Sequence, residues 1–176
     1  MSFFCMSSNT DIAHKDLETR ILVSSDDLSS FNCSKDDLAG CNEFIHTEAK
    51  QYQDENLGVT HLFLYKERIV GFATLAMSEI ETKDIPSLTP KTKNYPALLI
   101  GRLAVHNDYR KRNVGANICL WCLALARELS KEVGCKVVTV LTEGKSDFYK
   151  KCNFKTVPKY KNKRKVWLYL QVPKIE

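Results

Sequence analysis

The chain has no long hydrophobic run. No stretch approaches the roughly 18–20 uninterrupted apolar residues of a membrane-spanning helix, and the apolar stretch 117–126 ends at Arg127. Its opening, MSFFCMSSNTD, lacks a basic region and a long enough apolar run to act as an export signal. A cytoplasmic protein without membrane contact is therefore expected. Paired cysteines are lacking too: seven is an odd number, and without an export signal it argues against a disulfide framework. The four histidines, His14, His46, His61 and His106, are scattered, and only Cys119 and Cys122 have C-x-x-C spacing. That pair falls inside an apolar helical pattern with no second pair, so it reads as core packing, and no metal is expected. Repeats and linkers are also absent. At 176 residues the chain reads as one domain over 19–176 behind an N-terminal arm over 1–18.

What is present is an uneven charge. Residues 1–56 carry 4 Lys/Arg against 11 Asp/Glu, whereas residues 143–176 carry 10 against 3. A net charge of +5 thus hides an acidic first third and a basic last third. The basic end suits an anionic partner, either coenzyme phosphate or nucleic acid. The run Lys155, Lys159, Lys161, Lys163, Arg164, Lys165, with Tyr160 among them, reads either as a grip on an RNA backbone or as a solvated turn.

Periodicity predicts a short strand over 20–24. Ser34 and Asp37 resemble a capping box that opens a helical stretch, which Gly40 divides. Strands follow at 59–65 and 69–78, joined as a hairpin. A long loop over 80–95 is of the length that is often functional. Next come a buried strand over 97–105 and a helix over 114–133. The apolar face of that helix runs through Val114, Ile118, Trp121 or Cys122, Leu125, Leu129 and Val133, and Gly134 should end it as a C′ glycine. A strand over 136–141, a helix over 145–151 and a hairpin from 155–157 and 166–172 complete the order. The strand–helix–strand unit should be a right-handed parallel crossover.

The most informative stretch is LLIGRLAVHNDYRKRNVGANIC, residues 98–119. It is a buried strand, a basic turn and a helix start. Backbone N–H groups at a helix start have no intrahelical partner, and the dipole adds positive charge, so an anion can sit there. Arg110 to Ala116 resembles the Q/R-x-x-G-x-G/A signature of the GNAT superfamily of acyl-CoA-dependent N-acyltransferases, with Asn113 at the first glycine. Asn is the residue after Gly that best tolerates the left-handed conformation. Phe148-Tyr149-Lys150-Lys151-Cys152-Asn153-Phe154 resembles the superfamily's FYxKxGF helix end, again with Asn for Gly. FNCSKDDLAGCNEFI, VGFATL and YPALLIGRLAV resemble the acetyltransferase toxins of toxin–antitoxin pairs, which acetylate the amino acid on charged tRNA.

The resemblance implies a mixed α/β (α+β) fold. A central mixed sheet of six to seven strands would be flanked by about four helices, with parallel strands splayed at the acyl-CoA site. It implies acetyl-CoA as cofactor, its pantetheine arm on the backbone of Leu103, Ala104 and Val105. Its pyrophosphate would lie on Arg110, Lys111, Arg112, Asn113, Val114, Gly115 and Ala116. Tyr149 would be the general acid for the leaving thiolate, and a strand amide near Val105 would stabilise the oxyanion.

The reaction is attack of a neutral amine on a thioester. An α-amine with a pKa of about 8 is partly neutral at pH 7, whereas a lysine at about 10.4 needs a base. Glu79, Glu81, Glu143 and His106 lie near strand ends and are the base candidates, each with a solvated or capping reading beside it. Arg102, Lys159, Lys161, Lys163 and Arg164 are candidates for binding the acceptor, and a salt bridge is the other reading of Arg102. The expected partners are an amine acceptor, with tRNA among the candidates, a second copy in a homodimer, and an antitoxin. A protein, a polyamine or another small amine is the alternative acceptor. A non-catalytic acyl-CoA-binding or RNA-binding module of the same fold is the alternative function.

Overall fold

The computed structural model of the protein describes residues 10–174, so the segment MSFFCMSSN lies outside the described residues. Seven strands are formed by Glu18–Ile21 (β1), Val59–Tyr65 (β2), Arg68–Glu81 (β3), Asn94–Val105 (β4), Val137–Glu143 (β5), Lys155–Thr156 (β6) and Lys165–Gln171 (β7). They make one sheet in the order β1-β2-β3-β4-β5-β7-β6. All neighbours are antiparallel except β4 and β5, which are parallel. Four helices, Cys41–Thr47 (α1), Ala49–Asp54 (α2), Val114–Glu132 (α3) and Ser146–Lys151 (α4), complete the fold. The mixed seven-stranded sheet with four helices agrees with the architecture the resemblance implies.

Side-chain alternation along the strands decides what each face buries. Phe63, Val70, Ala73, Leu98 and Ile100 pack with Val114, Ile118, Cys122 and Ala126 of α3 in the largest cluster. Their neighbours Leu62 and Phe72 join Phe44, Ile45 and Phe31 in a second cluster around α1. The two residues between β2 and β3, Lys66 and Glu67, both take positive φ, which matches the twist of a two-residue hairpin turn.

Several local expectations give way to tertiary structure. Ser34 does not cap a helix; its N–H donates to the side chain of Asn32 (2.9 Å). Asp37 caps α1 instead, its carboxylate accepting from the N–H groups of Cys41 (2.9 Å) and Asn42 (2.7 Å). Gly40, left-handed at φ 66°, precedes the helix rather than dividing it, and the break comes at Glu48 between α1 and α2. Gly134 is not left-handed; α3 ends because Val133 leaves helical geometry (φ −137°, ψ 74°). Residues 82–93 pack as a cover: Ile85 and Leu88 are buried with Tyr95 and Val157. Of the N-terminal arm, the described part is docked. Ile12 is buried, its N–H donates to the Arg112 carbonyl (3.0 Å), and its own carbonyl accepts from Asn117 Nδ2 (2.8 Å).

Candidate active site

The parallel pairing of β4 with β5 is short. It runs only from Ala97–Ile100 against Val137–Val140. In the pairing with β3, Arg102 faces Thr74 and Ile100 faces Leu75, so Gly101 is an extra residue in β4. Such a bulge bends its strand and raises the local twist. Beyond it β4 and β5 part. His106 N–H donates to the Val70 carbonyl on β3 (2.9 Å). By alternation, the N–H groups of Leu103 and Val105 point the other way, into the gap.

A cavity of about 790 Å³ fills the gap, within the usual range for cofactor sites. It is lined by Leu103, Ala104 and Val105 on one side, Leu141, Thr142 and Glu143 on the other, and the start of α3 below. Asn113 precedes α3 in the left-handed conformation (φ 62°, ψ 5°) and makes no side-chain cap bond. The first-turn N–H groups are thus left facing the cavity rather than being consumed by the Asn113 side chain. Gly115 has a packing reason: a Cβ there would stand 3.0 Å from Phe148 Cζ. Phe148 can therefore rest on the helix start and carry Tyr149 with it.

Tyr149 lines the cavity and is only 6% exposed. Its ring packs edge-on against Phe148 (4.9 Å between centroids) and Phe154 (5.5 Å). Burial, reinforced by the surrounding thiols, holds its phenol well above the ordinary value near 10. It therefore keeps its proton and can give it away. Asn153, at the end of the same helical element, is also left-handed (φ 67°). Two thiols that sequence reasoning did not single out, Cys33 and Cys41, form part of the opposite wall. Burial pushes them up to about 12 and about 11, so both are neutral, non-nucleophilic walls.

Nearly all of the residues expected at the coenzyme meet here: Leu103, Ala104, Val105, Arg110, Lys111, Asn113, Val114, Gly115 and Ala116 all line the cavity. Arg112 does not. Its Nε donates to the Thr10 carbonyl (3.0 Å) and its guanidinium lies over Tyr65 and Tyr109, so its side chain secures the N-terminal segment. Lys159, Lys161, Lys163 and Arg164 lie outside the cavity. Lys159 is ion-paired with Asp84, and Arg164 with Glu143. Lys161 and Lys163 remain exposed on the turn.

The base candidates separate clearly. Glu79 and Glu81 lie on exposed positions away from the cavity. His106 accepts at Nδ1 from Asp108 N–H (3.1 Å), and its Nε2 then donates to the Ser30 carbonyl (3.2 Å). Three carboxylates line the cavity, and each has a protein partner: Asp36 has Arg110, Asp37 caps α1, and Glu143 has Arg164. Arg102 is the reverse case. Its Nε is buried without a hydrogen-bond partner among the described residues, and its guanidinium lies over the Phe44 ring (5.1 Å).

The sequence matches the family described as the acetyltransferase (GNAT) domain over residues 58–156, more than half of the chain and the part that supplies β4, β5, α3 and α4 to this cavity. The chain belongs to the GNAT acetyltransferase family. It is an acetyl-CoA-dependent N-acetyltransferase, and the residues of the cavity fit that substrate: unpaired strand N–H groups for a pantetheine amide, a bare helix start for pyrophosphate and a protonated tyrosine. Solved structures with the same GNAT fold include AtaT complexed with acetyl-methionyl-tRNAfMet (22% identity, TM-score 0.72, covering 89% of this chain and 95% of that one). Another is a tyrosine-to-phenylalanine mutant of the AtaT toxin bound to the C-terminus of the antitoxin AtaR and acetyl-CoA (23%, 0.71, 89% and 94%). A third is a tyrosine-to-phenylalanine mutant of KacT (20%, 0.73, 89% and 95%). No curated protein sequence matches the chain. No helix among the described residues is long and apolar enough to cross a membrane.

Proposed function

We propose that this GNAT enzyme acetylates the α-amine of an aminoacyl group carried by tRNA. The observation that carries the reading is the charge accounting of the cavity wall. Every lining carboxylate already has a partner, while the one buried side-chain nitrogen or oxygen of the wall without a partner among the described residues is the Arg102 Nε–H. Such a wall offers no free carboxylate to deprotonate a lysine or to hold the second ammonium of a polyamine. It offers a hydrogen bond to a carbonyl beside the reacting amine, as an aminoacyl ester has. That amine is already partly neutral near pH 7, unlike a lysine, so it needs no strong base.

Acetyl-CoA supplies the activated acyl group. The protein's part is to place and to donate. Leu103 and Val105 offer N–H groups from β4, that of Val105 to the oxygen on which negative charge develops. The first turn of α3 takes the pyrophosphate through backbone N–H groups, and Tyr149 gives its proton to the departing sulfur. Lys111, Lys145 and Lys151 on the rim and Lys161 and Lys163 on the nearby turn supply positive charge for an RNA backbone. The fold shared with AtaT, a toxin seen with acetyl-methionyl-tRNAfMet and with an antitoxin, supports the same acceptor and an antitoxin partner for this chain.

The test offers charged tRNA and radiolabelled acetyl-CoA to the protein. Label on the aminoacyl group, released with it on mild alkaline deacylation, is expected. Absence of that label, with transfer to a polyamine or to a peptide amine instead, overturns the acceptor assignment and leaves the enzyme class standing.

A further inference from the structure

We propose that the Arg110 side chain is a positioning residue for the acceptor wall and not a ligand of the coenzyme pyrophosphate. Arg110 sits at the first position of the phosphate loop, where a cation would naturally be assigned to the anion. Its guanidinium is directed elsewhere. Nη2 donates to the carbonyls of Cys33 (3.3 Å) and Lys35, and Nη1 stands 3.5 Å from the Asp36 carboxylate. A planar fork can hold several such acceptors at once, whereas an ammonium acts as a single point.

The segment it holds, residues 33–41, is the cavity wall opposite α3, and it is fixed at three other places. Asn107 accepts from Lys35 N–H (3.2 Å) and bonds Asn32 through both backbone and side chain. Asp37 ties the segment to the start of α1. Leu38, 64% exposed, reaches across to the β5–α4 connection, where its Cδ1 lies 3.0 Å from the position of a Cβ on Gly144. Asp36 is held at positive φ (52°), a conformation that a non-glycine residue adopts at a cost. Without its clasp the wall would relax. Arg110 and Asn107 thus join the coenzyme loop to the surface against which the acceptor lies. Backbone N–H groups remain for the pyrophosphate, so the side chain is free for this work.

The proposal rests on the acetyltransferase reading, and its test separates the two. Arg110→Ala and Asn107→Ala are compared with the parent in three measurements: CoA affinity by calorimetry, amide hydrogen exchange of Cys33, and the KM and kcat for charged tRNA. The Cys33 N–H donates to Asn42 Oδ1 (2.9 Å), a partner that neither substitution touches. Both variants are expected to keep CoA affinity within about threefold while exchanging Cys33 about tenfold faster and raising the acceptor KM about tenfold, the scale of lost charge-assisted hydrogen bonds. Arg110→Lys should behave as Arg110→Ala. A CoA affinity more than about tenfold weaker in Arg110→Ala assigns the side chain to the coenzyme and overturns the proposal. So does unchanged Cys33 exchange, or faster exchange with an unchanged acceptor KM. If Arg110→Ala does not fold, Arg110→Gln, which removes the charge and keeps most of the side chain, is put through the same three measurements with the same outcomes. Should the parent protein leave charged tRNA unmodified, the acceptor reading fails, and CoA affinity and Cys33 exchange still decide the clasp.

Discussion

Replacing Tyr149 with Phe separates chemistry from architecture because the ring and the hydroxyl do different things. The ring is buried between Phe148 and Phe154 at centroid distances of 4.9 and 5.5 Å, and phenylalanine keeps those contacts. The hydroxyl belongs to the cavity, and its removal should cost at most about 1 kcal/mol of stability. For a domain of this size that is a Tm change of about 2–4 °C. Loss of a positioned general acid is worth about 10²–10⁴ in rate, or about 3–5 kcal/mol of barrier. The expected result is a kcat lower by at least about a hundredfold, unchanged CoA affinity by calorimetry and a nearly unchanged melting temperature. A kcat within about tenfold of the parent would refute the acid role. A similar loss accompanied by weakened CoA binding would reassign Tyr149 to the coenzyme pocket, and intact CoA binding by a parent protein that turns over no amine would restore the binding-module reading.

Two more perturbations follow from the same site. Asn113→Gly should leave CoA affinity unchanged within about threefold, whereas Asn113→Ala keeps a Cβ in the left-handed region without asparagine's tolerance of it and should be about 1–2 kcal/mol less stable than Asn113→Gly, read as a lower melting temperature; equal stability of the two variants would contradict the positive φ. The rate should rise with pH through the ionisation of an α-amine near 8 and then stay level to about pH 10, because burial raises the Tyr149 pKa and the donor form persists above its ordinary value. A descending limb in kcat centred at or below about pH 10 would show an acid whose pKa burial does not raise.

Elements whose local pattern and tertiary role agree were readable from the chain. The strand 59–65 and the helix from Val114 are such cases: a short apolar run buried on both faces reads as a central strand, and the 3.6-residue period of the helix coincides with burial at Val114, Ile118 and Cys122, though it fails at its end, where Val133 is exposed. The capping of α1 was not, because Ser34 and Asp37 both suit a helix start and only the path of the chain shows which one reaches the N–H groups. Gly134 failed for a related reason: the chain must turn toward Pro96, whose carbonyl accepts from Lys136 N–H (2.9 Å), and an extended Val133 suffices. The coenzyme loop was legible because it is continuous in sequence. The ion pairs of Lys159 with Asp84 and of Arg164 with Glu143 bridge residues 75 and 21 positions apart. No local pattern announces them, and they remove two of the five cations expected to face an acceptor.

The substitutions that most weaken the family signature strengthen the reading once the backbone is seen. Asn113 and Asn153 stand where the superfamily has glycine, and both take the left-handed conformation. Asparagine populates that region several-fold more readily than other residues, so the turn keeps its shape at small cost. Both residues are exposed, so neither side chain has to be accommodated in the core beneath the turn. A site that binds through backbone N–H groups constrains the direction of those groups and is indifferent to the side chain that accompanies them. Arg110 follows the same logic. Its backbone serves the loop while its guanidinium serves the wall across the cavity, a division possible only where the anion is held by the main chain. The two asparagines therefore give no ground for demoting the chain to a binding module, and the acid at Tyr149, rather than the loop, is where catalysis must be tested.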